Sequence, residues 1–202
     1  MPQHDIVLYA YTFPSRAERV IWMLNELELS YELIRLDPFK GETATEDFKL
    51  LAPMRKIPVL KHNGKVHTES LAIMEYLHQL KPGKHLVPDA AESVYEFRHL
   101  MYFMLSELEG YLWLAHQSAV LGKGYPWPKG TSDEANGLVK RNIKHLFDKI
   151  DDKEFLIGNR FSMVDIVAHH MLKWSQQHNI ELAENAERYM LALEARPAYP
   201  SL

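Results

Sequence analysis

The hydrophobic pattern changes character partway along the chain, from strands mixed with helices to helices alone. Short apolar or alternating runs at 6–10, 31–35, 59–61 and 65–68 are typical of β-strands. Apolar residues at helical spacing predict helices over about 15–28, 46–51 and 70–80. The predicted order is therefore βαβ-α-ββα, a four-stranded mixed sheet with helices on both faces.

A break in this pattern predicts a domain boundary. Segment 81–90 contains two prolines and a glycine, and neither the strand nor the helix period continues through it. Beyond it the strand signal disappears, and long amphipathic stretches predict an all-helical second half. Two four-residue patterns there predict capping boxes at helix starts, at Thr131–Glu134 and at Ser162–Asp165.

Composition and charge narrow the function classes. The chain has 202 residues, 47% of them apolar, which is enough for one compact unit or two small domains. A net charge of −4 provides no basic field for nucleic acid or an anionic membrane. No apolar run reaches about 18 residues and no signal-peptide core is recognisable, so we expect a cytoplasmic protein. The chain contains no cysteine, so any sulfur chemistry must come from a ligand.

The most informative stretch runs from Lys56 to Ser70. Pro58 opens an apolar strand and cannot donate a ladder hydrogen bond, which leaves the backbone at Ile57 available to pair with an extended peptide. A two-residue turn at 63–64 closes a hairpin that leads directly into Glu69 and Ser70 at a helix start. A hydroxyl and free N–H groups suit a carboxylate, and the glutamate suits an ammonium group. A ligand that carries both charges on one carbon would fit.

This strand, hairpin and helix resemble the glutathione site of the cytosolic glutathione transferases (GSTs). The resemblance implies a thioredoxin-like domain over 1–80, a linker over 81–90 and an all-helical domain over 91–202. It also implies glutathione as co-substrate. Ile57, before a cis Pro58, would pair with the cysteinyl part, Glu69 and Ser70 would hold the γ-glutamyl group, and Lys56 would approach the glycyl carboxylate.

The catalytic hydroxyl has three candidates between the first strand and the first helix. Ser15 and Glu18 fit a helix-capping box, which alone would explain both residues. However, Ser15 before Arg19 also resembles the serine-type transferases of the zeta, delta, theta and tau kinds, including bacterial members. Tyr11 and Thr12 are the alternates. Lowering a thiol pKa from about 8.5 by roughly two units requires about 2.7 kcal/mol, which a hydrogen bond to the anion and a helix N-terminus can supply.

The resemblance predicts a glutathione transferase that adds the glutathione thiolate to small hydrophobic electrophiles in detoxification. Tyr102 is the candidate for the hydrophobic-substrate pocket, and the family resemblance implies a homodimer. A glutathione-dependent isomerase, lyase or dehalogenase on the same site is one alternative, and a non-catalytic GST-like interaction module is another. No metal is expected. The adjacent histidines His169 and His170 point in different directions from a helix, and neither has another metal-binding residue at i+3 or i+4.

Overall fold

The computed structural model describes residues 5–11, 15–121, 126–148, 150 and 153–200. The chain divides into two compact units, one comprising Met1–Leu86 with Pro197–Leu202 and the other Val87–Arg196. The division falls inside the segment 81–90 where the sequence predicts a linker. The sequence did not predict that the chain returns to the first unit at its end. There Asn25 Nδ2 donates to the carbonyl of Ala198 at 3.1 Å, and the Trp22 and Tyr199 rings meet edge to face, with their centroids 5.0 Å apart.

In the part of the first unit that the structure describes, four strands and three α-helices follow the predicted order. The elements are β1 (Ile6–Ala10), α1 (Ala17–Glu26), β2 (Glu32–Arg35), α2 (Glu46–Leu51), β3 (Val59–His62), β4 (Lys65–His67) and α3 (Ser70–Leu80), with short 3₁₀ turns at Pro38–Lys40, Glu42–Ala44 and Pro82–Lys84.

The sheet has the strand order β2-β1-β3-β4, with β1 parallel to β2 and antiparallel to β3, and β3 antiparallel to β4. Both faces are covered, because consecutive residues of β3, Val59 and Leu60, are both fully buried. Val59 faces the cluster around Phe48 of α2. Leu60 lies on the opposite face, because side chains alternate along a strand. α1 and α3 also pack against each other.

All the regular secondary structure in the described residues of the second unit is helical. It comprises α4 (Ala91–Phe103), α5 (Gly110–His116), α6 (Thr131–Phe147), α7 (Met163–Gln177) and α8 (Glu184–Glu194), with π-helical turns at Met104–Glu109 and Gln117–Leu121. Every residue from Met163 to Leu172 is buried, so this part of α7 is surrounded on all sides. None of the described helices is both long and apolar enough to cross a membrane.

The Asp165 side chain accepts several hydrogen bonds at the start of α7. The capping box with Ser162 is present, which confirms that prediction. The fully buried Asp165 carboxylate accepts hydrogen bonds from the backbone N–H of Leu156 at 2.9 Å, from the N–H of Ser162 at 2.8 Å and its hydroxyl at 3.0 Å, and from the hydroxyl of Tyr189 at 2.7 Å. Burial raises the pKa of Asp165, and these four hydrogen bonds oppose that rise. The carboxylate therefore ties the loop before α7 to α8.

The predicted capping box at Thr131 is wrong. The cap position of α6 is Gly130, whose φ of +89° is accessible to glycine, so the helix begins one residue earlier than the pattern predicts. Thr131 is then the first helical residue, and its hydroxyl donates to the carbonyl of Pro128 at 2.8 Å instead of capping the helix.

Candidate active site

The residues predicted to bind a ligand in the first unit follow or precede strands at one end of the sheet. Tyr9 pairs with Val59 across β1 and β3, and Leu60 pairs with His67 across β3 and β4. The end of β1, the start of β3 and the end of β4 therefore lie side by side. Neighbouring strands are about 4.8 Å apart, so the three chain segments span roughly 10 Å.

Ile57 lies just outside this sheet. The peptide bond between Ile57 and Pro58 is cis, which confirms that expectation. The ladder to β1 begins at Val59 and the ladder to β4 begins at Leu60, so the backbone of Ile57 belongs to neither. Its side chain packs against the buried cluster that contains Phe48. The side chain is anchored while the backbone lies beyond the ladder hydrogen bonds, where an extended peptide could pair with it.

Glu69 and Ser70 form the turn into α3. Glu69 has φ 65° and ψ 108°, a region sparsely populated by residues other than glycine, and such backbone strain clusters at functional sites. Ser70 is the first residue of α3 and is buried, whereas Glu69 occupies the cap position and is exposed. The carbonyl of Glu69 accepts from the N–H of Ile73 at 2.9 Å. The first N–H groups of the helix have no intrahelical acceptors, and together with the helix dipole they favour an anion.

Ser15 is half-buried, and its hydroxyl is engaged with the backbone. It donates to the carbonyl of Tyr11 at 2.8 Å and accepts from the N–H of Ala17 at 3.2 Å. The cap position of α1 is Arg16 and not Ser15. The N–H of Glu18 bonds to the carbonyl of Ser15 and not to its hydroxyl, so the Ser15 hydroxyl does not make the bond that the predicted capping box requires. To hold a ligand anion, the hydroxyl would have to turn away from Tyr11.

The other predicted site residues differ in their position and exposure. Tyr11 is half-buried, and its ring meets Phe39 edge-on, with centroids 5.9 Å apart. Thr12 lies outside the described residues. Lys56 is exposed beside Ile57. Tyr102 belongs to α4 in the second unit, where it is 64% exposed.

A cluster of aromatic and imidazole rings beside the site was missed by sequence reasoning. His62 and His67 lie on the same face of the β3–β4 hairpin, and Tyr76 of α3 contacts both. The hairpin register would have placed the two histidines diagonally opposite, because the two-residue turn pairs 62 with 65 and 60 with 67. The position of Tyr76 depends on how α3 packs, which the local pattern does not specify.

Among the described residues, no group of three or more histidine or acidic side chains is arranged to hold a metal ion.

Two family models match the chain. The model for the glutathione S-transferase N-terminal domain matches residues 5–79, and the model for the glutathione S-transferase C-terminal domain matches residues 111–197.

Individual relatives match over nearly the whole chain. A probable maleylacetoacetate isomerase of Vibrio cholerae serotype O1 is 27% identical, over 96% of this chain and 94% of that protein. Glutathione S-transferase hmp2 of Hypomyces subiculosus is 29% identical, over 96% of each chain. Maleylacetoacetate isomerase of Rattus norvegicus is 25% identical, over 94% of this chain and 89% of the rat protein.

Solved structures share the fold. A glutathione S-transferase domain-containing protein from Marinobacter aquaeolei superposes with a TM-score of 0.85 at 21% identity, covering 96% of this chain and all of the other. A glutathione transferase homolog from Sulfitobacter with bound glutathione gives a TM-score of 0.82 at 19% identity, covering 96% and 94%. The first unit thus has a thioredoxin-like fold, and it is followed by an all-helical C-terminal region.

Proposed function

This chain belongs to the glutathione S-transferase family, and on that premise we propose that it binds glutathione at the end of the sheet and adds the glutathione thiolate to small hydrophobic electrophiles. The main support for this proposal is the position of the Ile57 backbone. Its backbone lies beyond both ladders, beside the strained turn at Glu69 that opens α3.

The size and charge of this region suit glutathione. A three-residue peptide extends over roughly 10 Å, which is the width of the three adjacent chain segments. The cysteinyl part pairs with the backbone of Ile57 next to the buried Pro58. The γ-glutamyl carboxylate meets Ser70 and the N-terminus of α3, and its ammonium group meets the exposed carboxylate of Glu69. Lys56 approaches the glycyl carboxylate.

Ser15 is the proposed catalytic hydroxyl, with Tyr11 and Thr12 as alternates. On binding, the hydroxyl rotates from the Tyr11 carbonyl towards the sulfur and donates to the thiolate. The start of α1 adds a favourable dipole, worth about 0.3 to 1 kcal/mol. Together these lower the pKa of the bound thiol and raise the fraction of the nucleophilic thiolate at neutral pH.

The rest of the molecule is assigned by family analogy. Residues 1–80 are proposed as the glutathione-binding domain, 81–90 as the linker and 91–202 as the helical domain that supplies the hydrophobic-substrate pocket, with residues 197–202 of that range returning to the first unit. Tyr102 is the proposed pocket residue, with an amphipathic ring suited to an apolar ligand. We also propose a cytoplasmic homodimer that needs no metal.

A second candidate function is a glutathione-dependent isomerase at the same site. It is favoured by two of the relatives described above, which are named maleylacetoacetate isomerases. In such a reaction the thiolate adds to a conjugated double bond, the resulting single bond rotates, and elimination returns glutathione. Lyase or dehalogenase chemistry would use the same thiolate. A non-catalytic interaction module would not require an activated thiol.

Two measurements test these proposals in sequence. The protein is first passed over immobilised glutathione and eluted with free glutathione, and failure to bind contradicts the glutathione site. Products are then analysed by mass spectrometry, with glutathione and either a halogenated aromatic electrophile or a cis-configured conjugated dicarbonyl compound. A conjugate with consumption of glutathione supports the transferase. An isomerised product with glutathione unchanged favours the isomerase, and binding without either product favours the non-catalytic module.

A further inference from the structure

Three side chains form a compact cluster on the β3–β4 hairpin and α3. The Tyr76 ring stacks on the His67 ring, with centroids 4.0 Å apart and planes inclined by 22°. The Tyr76 hydroxyl shares a hydrogen bond of 2.7 Å with Nδ1 of His62. All three side chains are half-buried. The cluster therefore joins both strands of the hairpin to one helix.

Two members of the cluster lie on either side, in sequence, of the turn that contains the proposed γ-glutamyl site. His67 is the last residue of β4 and lies two residues before Glu69, and Tyr76 lies six residues after Ser70 on α3. The chain from His67 to Tyr76 is thus closed into a loop by the ring stack. Everything proposed to hold the γ-glutamyl group lies inside this loop.

The backbone of the turn at Glu69 is strained and has to be stabilised by its surroundings. Glu69 adopts a positive φ that a residue with a side chain avoids, and such a conformation persists only where its surroundings determine it. The β3–β4 ladder ends at His67, and α3 begins at Ser70. Between these two elements the ring stack and the hydrogen bond to His62 join the hairpin to the helix.

The surroundings of His67 favour its neutral form. Burial, then the neighbouring His62 and Lys65, hold the pKa of His67 below its usual value. His67 is therefore mainly neutral at physiological pH, and its ring stacks on Tyr76 as a neutral aromatic ring.

We propose that His62, Tyr76 and His67 form a brace that positions Glu69 and Ser70 for the γ-glutamyl end of glutathione. This inference rests on the proposed function. The three residues do not touch the reacting sulfur, so they are positioning residues. The brace should affect the affinity for glutathione, because loss of the bound geometry in the free protein lowers the population that is competent to bind.

The test uses substitutions that separate the ring stack from the hydrogen bond. Tyr76→Leu removes both, Tyr76→Phe keeps the stack, and His67→Phe keeps an aromatic ring opposite Tyr76. Tyr95→Leu is the matched control, since Tyr95 also stacks on a histidine, His99, but does so on α4 in the second unit. Glutathione affinity is measured by calorimetry and kcat and KM by steady-state kinetics, with thermal unfolding recorded for every variant.

Tyr76→Leu is expected to raise the Kd and KM for glutathione about three- to tenfold, the equivalent of one lost aromatic pair. We expect kcat at saturating glutathione and KM for the electrophile to stay within about twofold of wild type, because only the population competent to bind glutathione falls. Tyr76→Phe should show a smaller rise, and His67→Phe should retain affinity within about twofold because the stack is preserved. Tyr95→Leu should leave glutathione affinity unchanged.

The contrary outcomes are distinct. If the wild-type protein fails to bind glutathione, both the proposed function and this inference are overturned. If the wild type binds and Tyr76→Leu binds equally well, the brace alone is overturned. The brace is also overturned if Tyr76→Leu lowers kcat and both affinities together, or if Tyr95→Leu has the same effect, since either result would indicate general destabilisation. Loss of affinity in His67→Phe equal to that in Tyr76→Leu would contradict the ring stack.

Discussion

Replacing Ser15 by alanine should raise the pKa of glutathione bound to this protein. The Ser15 hydroxyl donates to the Tyr11 carbonyl at 2.8 Å, so its contribution to a thiolate is a difference between two hydrogen bonds. A hydrogen bond to a charged group contributes about 1.5 to 3 kcal/mol, and the neutral bond that must be given up contributes about 0.5 to 1.5. The net gain is then about 1 to 1.5 kcal/mol, or roughly one pKa unit.

The start of α1 adds about 0.3 to 1 kcal/mol, or roughly half a unit. From a free thiol at about 8.5, the wild type should hold glutathione with a pKa of about 7 and Ser15→Ala with a pKa of about 8. At a pH of about 6.5, the bound ligand would be about one quarter thiolate in the wild type and about three per cent in the variant. The initial rate at saturating glutathione should fall in the same proportion, about eightfold.

The assay is ultraviolet difference absorbance of the bound thiolate, titrated against pH. Ser118→Ala is the matched control, because the Ser118 hydroxyl is also half-buried and donates to a carbonyl four residues earlier, at 2.9 Å, but lies in the second unit. An identical thiol pKa in wild type and Ser15→Ala would refute the assignment. A shift seen only in Tyr11→Phe or Thr12→Val would move the role to that residue.

Substitutions at three other positions should change either the stability of the protein or its affinity for glutathione. Asp165→Ala leaves buried donors without an acceptor and should lower the free energy of unfolding by about 3 to 5 kcal/mol, measured by urea denaturation; a loss below about 1 kcal/mol would contradict the network. Glu69→Gln should raise the Kd for glutathione about three- to tenfold by calorimetry, because a charge-assisted contact to the ammonium is weakened, whereas Glu75→Gln on the exposed side of α3 should not. Burial and then the neighbouring His116 hold the pKa of His178 below its usual value, so the folded state binds fewer protons and stability falls as pH drops through about 6.5. The melting temperature of His178→Gln should therefore fall less than that of wild type between about pH 7.5 and about pH 5, and an equal fall would contradict this account.

The order of elements in the first unit could be predicted because each element has its own local signal. The period-two runs, the turn at 63–64 and the helical spacing after Ser70 are all visible within a few residues. The start of α7 was also predictable, because the capping-box pattern from Ser162 to Asp165 lies within four residues. The cis bond before Pro58 was predicted from resemblance, because nothing in the local sequence specifies it.

The features that sequence reasoning missed depend on distant partners or on backbone conformations without a residue signal. A glutamate carries no sign that it will adopt a positive φ, as Glu69 does, and Tyr76 meets His62 only after a hairpin and a helix have packed together. The capping pattern at Thr131 was misleading, because Gly130 could take the cap position first. The return of the chain to Trp22 near its end likewise reflects a contact between residues 177 positions apart, at Tyr199.

The proposed function depends above all on the pairing of glutathione with the backbone at Ile57. The most direct measurement is a titration of ¹⁵N-labelled protein with glutathione, followed by nuclear magnetic resonance of the backbone amides. Saturable shifts are expected at Ile57, Glu69 and Ser70, with slower hydrogen exchange at the Ile57 amide as it gains a hydrogen bond. Saturable binding with no shift at these three amides, or no binding at all, would contradict it.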